Sequence, residues 1–282
     1  MPAASSSESA GQTQRRAAFD REIEAARPRL RAVIRRLVGN PSDCDDIVQD
    51  TLVKAWRAHD SFAGDSAFST WLCAIGVRTA LDHLRAQKRW RSDAQLLHAA
   101  ACQRDEAMAG GIVAAAQGPS FRFDVAEHIA YCFTCMGRSL PAEQQAAVVL
   151  RDVEGLANAE AAKVAGLSVS KLRHDLAAGR AALAERFDGL CALVNKQGAC
   201  WQCAGLRQIA PPEHQGEPPP DLRALSPQAS YRTRVGIVAR ADLDGRSRAL
   251  HDAMFRDTAH IEALGLNPEP VDPESCRPAD AE

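Results

Sequence analysis

Four cysteines stand in two Cys-x-x-Cys pairs, Cys132-Phe-Thr-Cys135 and Cys200-Trp-Gln-Cys203, with sixty-four residues between Cys135 and Cys200. Thiolates at such local spacing hold soft metals tetrahedrally or exchange with a disulfide. The separation exceeds that of a small zinc module, but a compact domain brings its ends together, so the four sulfurs could meet at a zinc or other soft-metal site. Two further readings stay open: a reversible dithiol-disulfide switch, and thiols that merely pack as small hydrophobes. Cys44, Cys73, Cys102, Cys191 and Cys276 stand alone and read as structural or incidental.

The second constellation runs from Ser42 to Arg91 and offers binding surfaces instead of reaction chemistry. Its first part carries Ile47, Val48, Leu52, Ala55 and Trp56 at helical spacing, with Asp45, Asp46, Gln49 and Asp50 on the polar side. Ser42 is the expected cap, and the aspartates suit the positive first turn. Next comes an aromatic loop, broken by Gly64, in which Phe62, Ser66, Phe68 and Trp71 could plug a core or receive an unstacked base. A basic helix follows, where Arg78, Arg85, Lys88, Arg89 and Arg91 oppose one Asp and would meet phosphates.

The order Asp45-Asp46-Ile-Val-Gln-Asp50, Ala55-Trp56-Arg57, Phe68-Ser-Thr-Trp-Leu72 and then an arginine-rich helix resembles domain 2 of the sigma-70 family, specifically its extracytoplasmic function group. The resemblance implies that Asp45, Asp46, Gln49 and Asp50 dock on core RNA polymerase. It also implies that Phe62, Ser66, Phe68, Trp71, Arg78, Arg85, Lys88 and Arg89 open and hold the minus-ten element of promoter DNA. A separate anti-sigma protein is a further partner that it leaves open.

Elements that must position these residues are helical. Aromatics make up 5 % of the 282 residues and alternating β-branched runs are scarce, so the expected fold class is all-α. The length suits two small domains with tails. A net charge of -2 hides basic segments offset by acidic ones. No apolar run reaches the length of a membrane span and no secretory pattern opens the chain, so the expectation is a cytoplasmic protein without membrane insertion. No nucleotide-binding glycine loop, His-Glu-x-x-His or serine elbow is present, and neither Cys-x-x-Cys pair has strand-like flanks, so a non-enzymatic role is expected.

In order along the chain, residues 1–16 read as a disordered tail and 17–91 as the first domain, with Pro28 dividing or starting its first helix. Residues 92–120 read as a linker with partial helix. Residues 121–207 form the second domain, with Asn158 and Ser168 as expected caps and Gly166 as the turn between a short and a long helix. That arrangement is a helix-turn-helix, whose second helix would present Ser170, Lys171, Arg173, His174 and Arg180 to a major groove. It resembles domain 4 of the same family, which reads the minus-thirty-five element. Asp175 and Gly179 depart from that family's frequent basic residues. Residues 208–282 read as a stiff Pro-rich linker and a partly disordered extension, with a short strand or extended arm at Tyr231–Val238 and an amphipathic helix over 247–264. The reading that results is an alternative sigma factor, with metal or redox regulation through the cysteines as an open element and no cofactor required. The rival is a stand-alone helix-turn-helix regulator.

Overall fold

The computed structural model describes residues 4–87, 106–119, 122–198 and 200–263, and the described chain is built from α-helices. Helix α1 runs Ala4–Val38, α2 Pro41–Ala58 and α3 Phe68–Ala86. Helix α1 therefore begins within the segment expected to be a tail, and it passes through Pro28 without ending. The apolar stripe after the proline explains the continuity: Leu30, Val33, Ile34 and Leu37 are buried against α3. Tertiary burial outweighs the lost backbone bond. Gly76 lets the two helices approach, since a Cβ there would lie 2.5 Å from Leu30 Cδ1. Asn40, not Ser42, caps α2, its side chain accepting from the amides of Ser42 and Asp43 at 2.8 and 3.2 Å. Pro41 occupies the first helical position and sets that register.

The expected linker contains α4, Glu106–Gln117. The second domain comprises α5 (Val125–Gly137), α6 (Ala142–Val148) running into a π turn over Val149–Val153, α7 (Asn158–Ala165) and α8 (Val169–Leu190). Asn158 is the first residue of α7 and makes no capping bond, whereas Ser168 accepts from the Lys171 amide at 3.1 Å. Gly166 closes α7 at φ +69°, the left-handed conformation that a helix-turn-helix bend needs.

The extension folds onto both domains. Helix α9 is Gln202–Ile209, α10 Pro227–Arg240 and α11 Arg248–Ala263. The expected extended arm at 231–238 is thus helical. Ser226 caps it, Pro227 stands in its first turn, and Ser230, Arg234 and Val238 at four-residue spacing supply its buried face. Helix α10 packs on α5 and the π turn, and α11 on α4 and α5. The main core is continuous from α1–α3 through α5–α8 to Val238 and Ala241 of the extension. A second core joins Phe123, Tyr131 and Cys135 to Leu206, Leu250, Met254 and Phe255. The residues beyond 263 expected to form a disordered end lie outside the described residues.

Charged pairs fasten the extension to α1. Arg35, 2 % exposed, donates to Asp252 at 2.6 Å, and Arg31 pairs with Asp244 at 3.1 Å. Between the domains, Arg36 of α1 pairs with Glu154 after the π turn at 3.1 Å. His128 of α5 and His251 of α11 are buried with their rings in contact, Nδ1 of His128 lying 3.0 Å from Nε2 of His251. Burial lowers the His128 pKa to about 4 and holds His251 well below its ordinary value.

Candidate nucleic-acid interface

The acidic surface forms because α2 buries Cys44, Ile47, Val48, Thr51 and Ala55 while Asp45, Asp46, Gln49 and Asp50 face outward. Asp45 is bound by Arg31 at 2.6 Å, and Asp46, Gln49 and Asp50 remain exposed beside it. Trp56, expected on the core stripe, is instead 51 % exposed, with the Arg16 guanidinium 5.6 Å from its ring centroid. The core side of α2 is filled without it, because Ala55 takes the inward position.

The aromatic residues form a packed group. Phe68 touches Phe19, Phe62 and Trp71 at centroid separations of 5.4–5.5 Å, and Phe62 lies 5.2 Å from Trp71. Phe68 is buried at the first turn of α3, so it supports the loop and offers no open face to a base. Phe62, Trp71 and Ser66 are half-buried at the edge of this group and remain the residues a base could meet.

Basic residues on α3 and α8 divide by what holds them. Arg78 donates to the Lys163 carbonyl of α7 at 2.9 Å, and Arg85 pairs with Glu143 of α6 at 2.8 Å. Arg78 and Arg85 thus each hold a partner in the second domain while staying exposed. Lys88 and Arg89 lie outside the described residues. On α8, Ser170, Lys171, Arg173, His174 and Arg180 are all exposed. Lys171 pairs with Asp175 at 2.5 Å, and Arg180 holds Asp152 of the π turn, its Nε donating at 2.8 Å. Tyr231 of α10 donates to the same Asp152 carboxylate at 2.8 Å. The two departures from the family pattern have packing reasons. Asp175 is 1 % exposed, and a Cβ on Gly179 would lie 2.9 Å from Val148 and 3.1 Å from the Gln144 carbonyl. Neither position faces a groove.

A fifth cysteine joins three of the expected four, since Cys203 is influenced electrostatically by Cys191, Cys200 and Cys132. Cys132 belongs to the main core and Cys135, three residues on along α5, to the second core. Cys191 at the end of α8, read as solitary, is instead beside Cys200, the two residues pairing in a single parallel bridge. The Cys200 amide donates to Leu190 O at 2.7 Å and the Ala192 amide to Cys200 O at 3.2 Å. Burial pushes the Cys203 thiol up, Cys191, Cys200 and Cys132 acting in the same direction and Arg234 opposing them. Among the described residues no three Cys, His, Asp or Glu side chains converge on one metal position. Sequence reasoning missed Cys191 because eight residues lie between it and Cys200, outside any Cys-x-x-Cys pattern. The signal was Gly198, which lets the chain turn back so closely that a Cβ there would lie 2.7 Å from the Cys191 carbonyl carbon.

Comparison with known proteins identifies the regions that these helices carry. Sigma-70 region 2 matches residues 23–90 and Sigma-70 region 4 matches residues 132–183. RNA polymerase sigma factor CnrH of Cupriavidus metallidurans is 34 % identical over 147 residues, covering 52 % of this chain and 74 % of that protein. The ECF RNA polymerase sigma-E factor of Escherichia coli K12 is 30 % identical over 173 residues, covering 61 % of this chain and 88 % of that protein. The sigma factor RpoE of Bartonella quintana, solved with the anti-sigma factor NepR, aligns at a TM-score of 0.40 and 23 % identity, covering 61 % of this chain and 97 % of that chain. Regions 2 and 4 in this order, carried by residues that relatives share across most of their own length, make the chain a member of the extracytoplasmic function group of the sigma-70 family.

Proposed function

We propose that this chain acts as a non-enzymatic initiation subunit in the cytoplasm, docking on core RNA polymerase through α2 and bringing it to a promoter through α3 and α8. The observation that carries this reading is the exposed row Asp46, Gln49 and Asp50 on α2, backed by an α1–α3 core within the region 2 match. Carboxylates and an amide on one rigid helical face suit a basic partner surface and give it a defined register. The exposed Ser170, Lys171, Arg173 and His174 at the start of α8 suit base edges and phosphates of a major groove. Among the described residues no helix is long and apolar enough to cross a membrane.

Run-off transcription with purified core polymerase on a genomic promoter library tests the reading. Promoter-specific transcripts that depend on the added protein are expected, and charge reversal at Asp46 and Asp50 should abolish both transcripts and binding to core. Duplex binding by the isolated protein, with neither core binding nor transcripts, would replace this reading with the stand-alone regulator.

A further inference from the structure

We propose that Cys191 and Cys200 are a redox pair that closes to a disulfide under peroxide, with Arg234 as the residue that positions the Cys191 sulfur.

Partners across a parallel bridge lie about 4.8 Å apart, inside the Cα separation of about 4.4–6.8 Å that a disulfide spans. The bridge also sets both side chains on the same face, and its two backbone bonds fix that relation before any sulfur chemistry occurs. Only the eight residues 192–199 lie inside the ring, and the chain already turns back through Gly198. Closing so short a loop costs little conformational entropy. A cavity of about 160 Å³, lined by Cys200, Trp201, Cys203, Pro219 and Arg223 among others, leads from solvent to Cys200. A small oxidant can reach the cavity that Cys200 and Cys203 both line, whereas Cys191 is buried.

Arg234 supplies the independent observation. Its guanidinium is 1 % exposed, lies 4.0 Å from the centroid of Phe187 and donates to Cys191 Sγ at 3.4 Å. No carboxylate among the described residues pairs with it, although an enclosed cation ordinarily demands one. The Cys191 sulfur is the acceptor that this guanidinium holds in place.

The chemistry balances in two steps. The Cys200 thiolate attacks hydrogen peroxide, breaking the O–O bond to give a sulfenic acid and hydroxide. The Cys191 thiolate then attacks that sulfur and expels hydroxide, which together with the protons lost by the thiols leaves two waters per disulfide. The peroxide is reduced by two electrons and the thiol pair is oxidised by two. This pair is independent of whether the chain directs transcription, and its test reads the sulfurs directly.

Full-length protein is treated with a few equivalents of peroxide, alkylated, digested with trypsin and mapped by mass spectrometry. Cleavage after Lys196 separates the partners, so the expected product is peptide 187–196 joined to 197–207, with Cys203 carrying the alkyl group. Cys200→Ser abolishes the product, Cys203→Ser retains it, and dithiothreitol reverses it. Arg234→Met slows its formation about tenfold, and Arg234→Lys restores most of the rate. Thermal melts and circular dichroism verify that each variant is folded, and Cys191→Ser in the Arg-containing protein serves if Arg234→Met is not. A link between Cys200 and Cys203 or between Cys132 and Cys203 would overturn the proposal. So would a link that forms only in denaturant, or about one zinc per chain that shields all four sulfurs until chelated.

Discussion

Lowering the pH from about 7.5 to about 4 tests the imidazole pair that joins α5 to α11. Both rings are buried, and the contact between Nδ1 of His128 and Nε2 of His251 requires one nitrogen to donate and the other to accept. A proton on the accepting nitrogen would set two N–H groups against each other in an apolar site, and Tyr131, which stacks on His251 with ring centroids 4.5 Å apart, offers no counter-charge. The His128 pKa is about 4 in the folded chain, against about 6.5 in the unfolded one. The unfolded state therefore binds more protons between these values, and stability must fall as the pH falls through that window. It is fully present above about 6.5 and the loss is complete below about 4. A difference of roughly 2.5 units corresponds to about 3 kcal/mol, on the order of 5 °C in melting temperature for a chain of this size. Urea unfolding at half-unit pH steps, followed by circular dichroism, measures the loss, and His128→Gln removes the titrating group while keeping an amide for His251. The variant should lose about 3 kcal/mol of the wild-type pH dependence between 6.5 and 4. Equal acid sensitivity in the two proteins would refute the reasoning, because carboxylates common to both would then carry all of it.

Other substitutions probe the packing and the surfaces. Arg35→Met leaves Asp252 with Arg248 as its remaining cation at 3.1 Å, so chemical denaturation should show a loss of about 2–4 kcal/mol. Gly179→Ala drives a Cβ against Val148 and the Gln144 carbonyl between α6 and α8, and calorimetry should show about 1–3 kcal/mol of destabilisation. Arg173→Ala, at an exposed position, should leave the melting temperature unchanged while weakening promoter binding and lowering the steepness of its salt dependence, read by fluorescence anisotropy at several salt concentrations.

The helical character and both domains were legible because apolar residues recur at helical spacing along α2, α3, α5 and α8, and because Gly166 and Ser168 mark a turn whose chemistry is local. What the sequence concealed depended on distant partners. The segment 231–238 looks extended from its β-branched and aromatic residues, yet Ser230, Arg234 and Val238 find buried places on one helical face. Pro28 looks like a boundary until Leu30 and Ile34 are buried on α3. In the candidate surfaces, the acidic row of α2 could be read directly because exposure follows from helical period. The burial of Phe68 depends on Phe19, nearly fifty residues earlier, and no local pattern announces it. The same holds for Cys191, whose neighbour across the bridge is set by a turn and not by spacing.

Arg78 and Arg85 each hold a partner in the second domain, whereas Asp46, Gln49 and Asp50 on the neighbouring helix face solvent. A guanidinium committed to the Lys163 carbonyl or to Glu143 cannot grip a phosphate at the same time. Each 1.4 kcal/mol by which these contacts resist displacement lowers the apparent affinity for a phosphate about tenfold. Binding at the open surface of α2 carries no such factor. The acidic face of α2 and the start of α8 are thus open from the outset, whereas the two α3 guanidiniums would have to exchange a partner in the second domain for a phosphate.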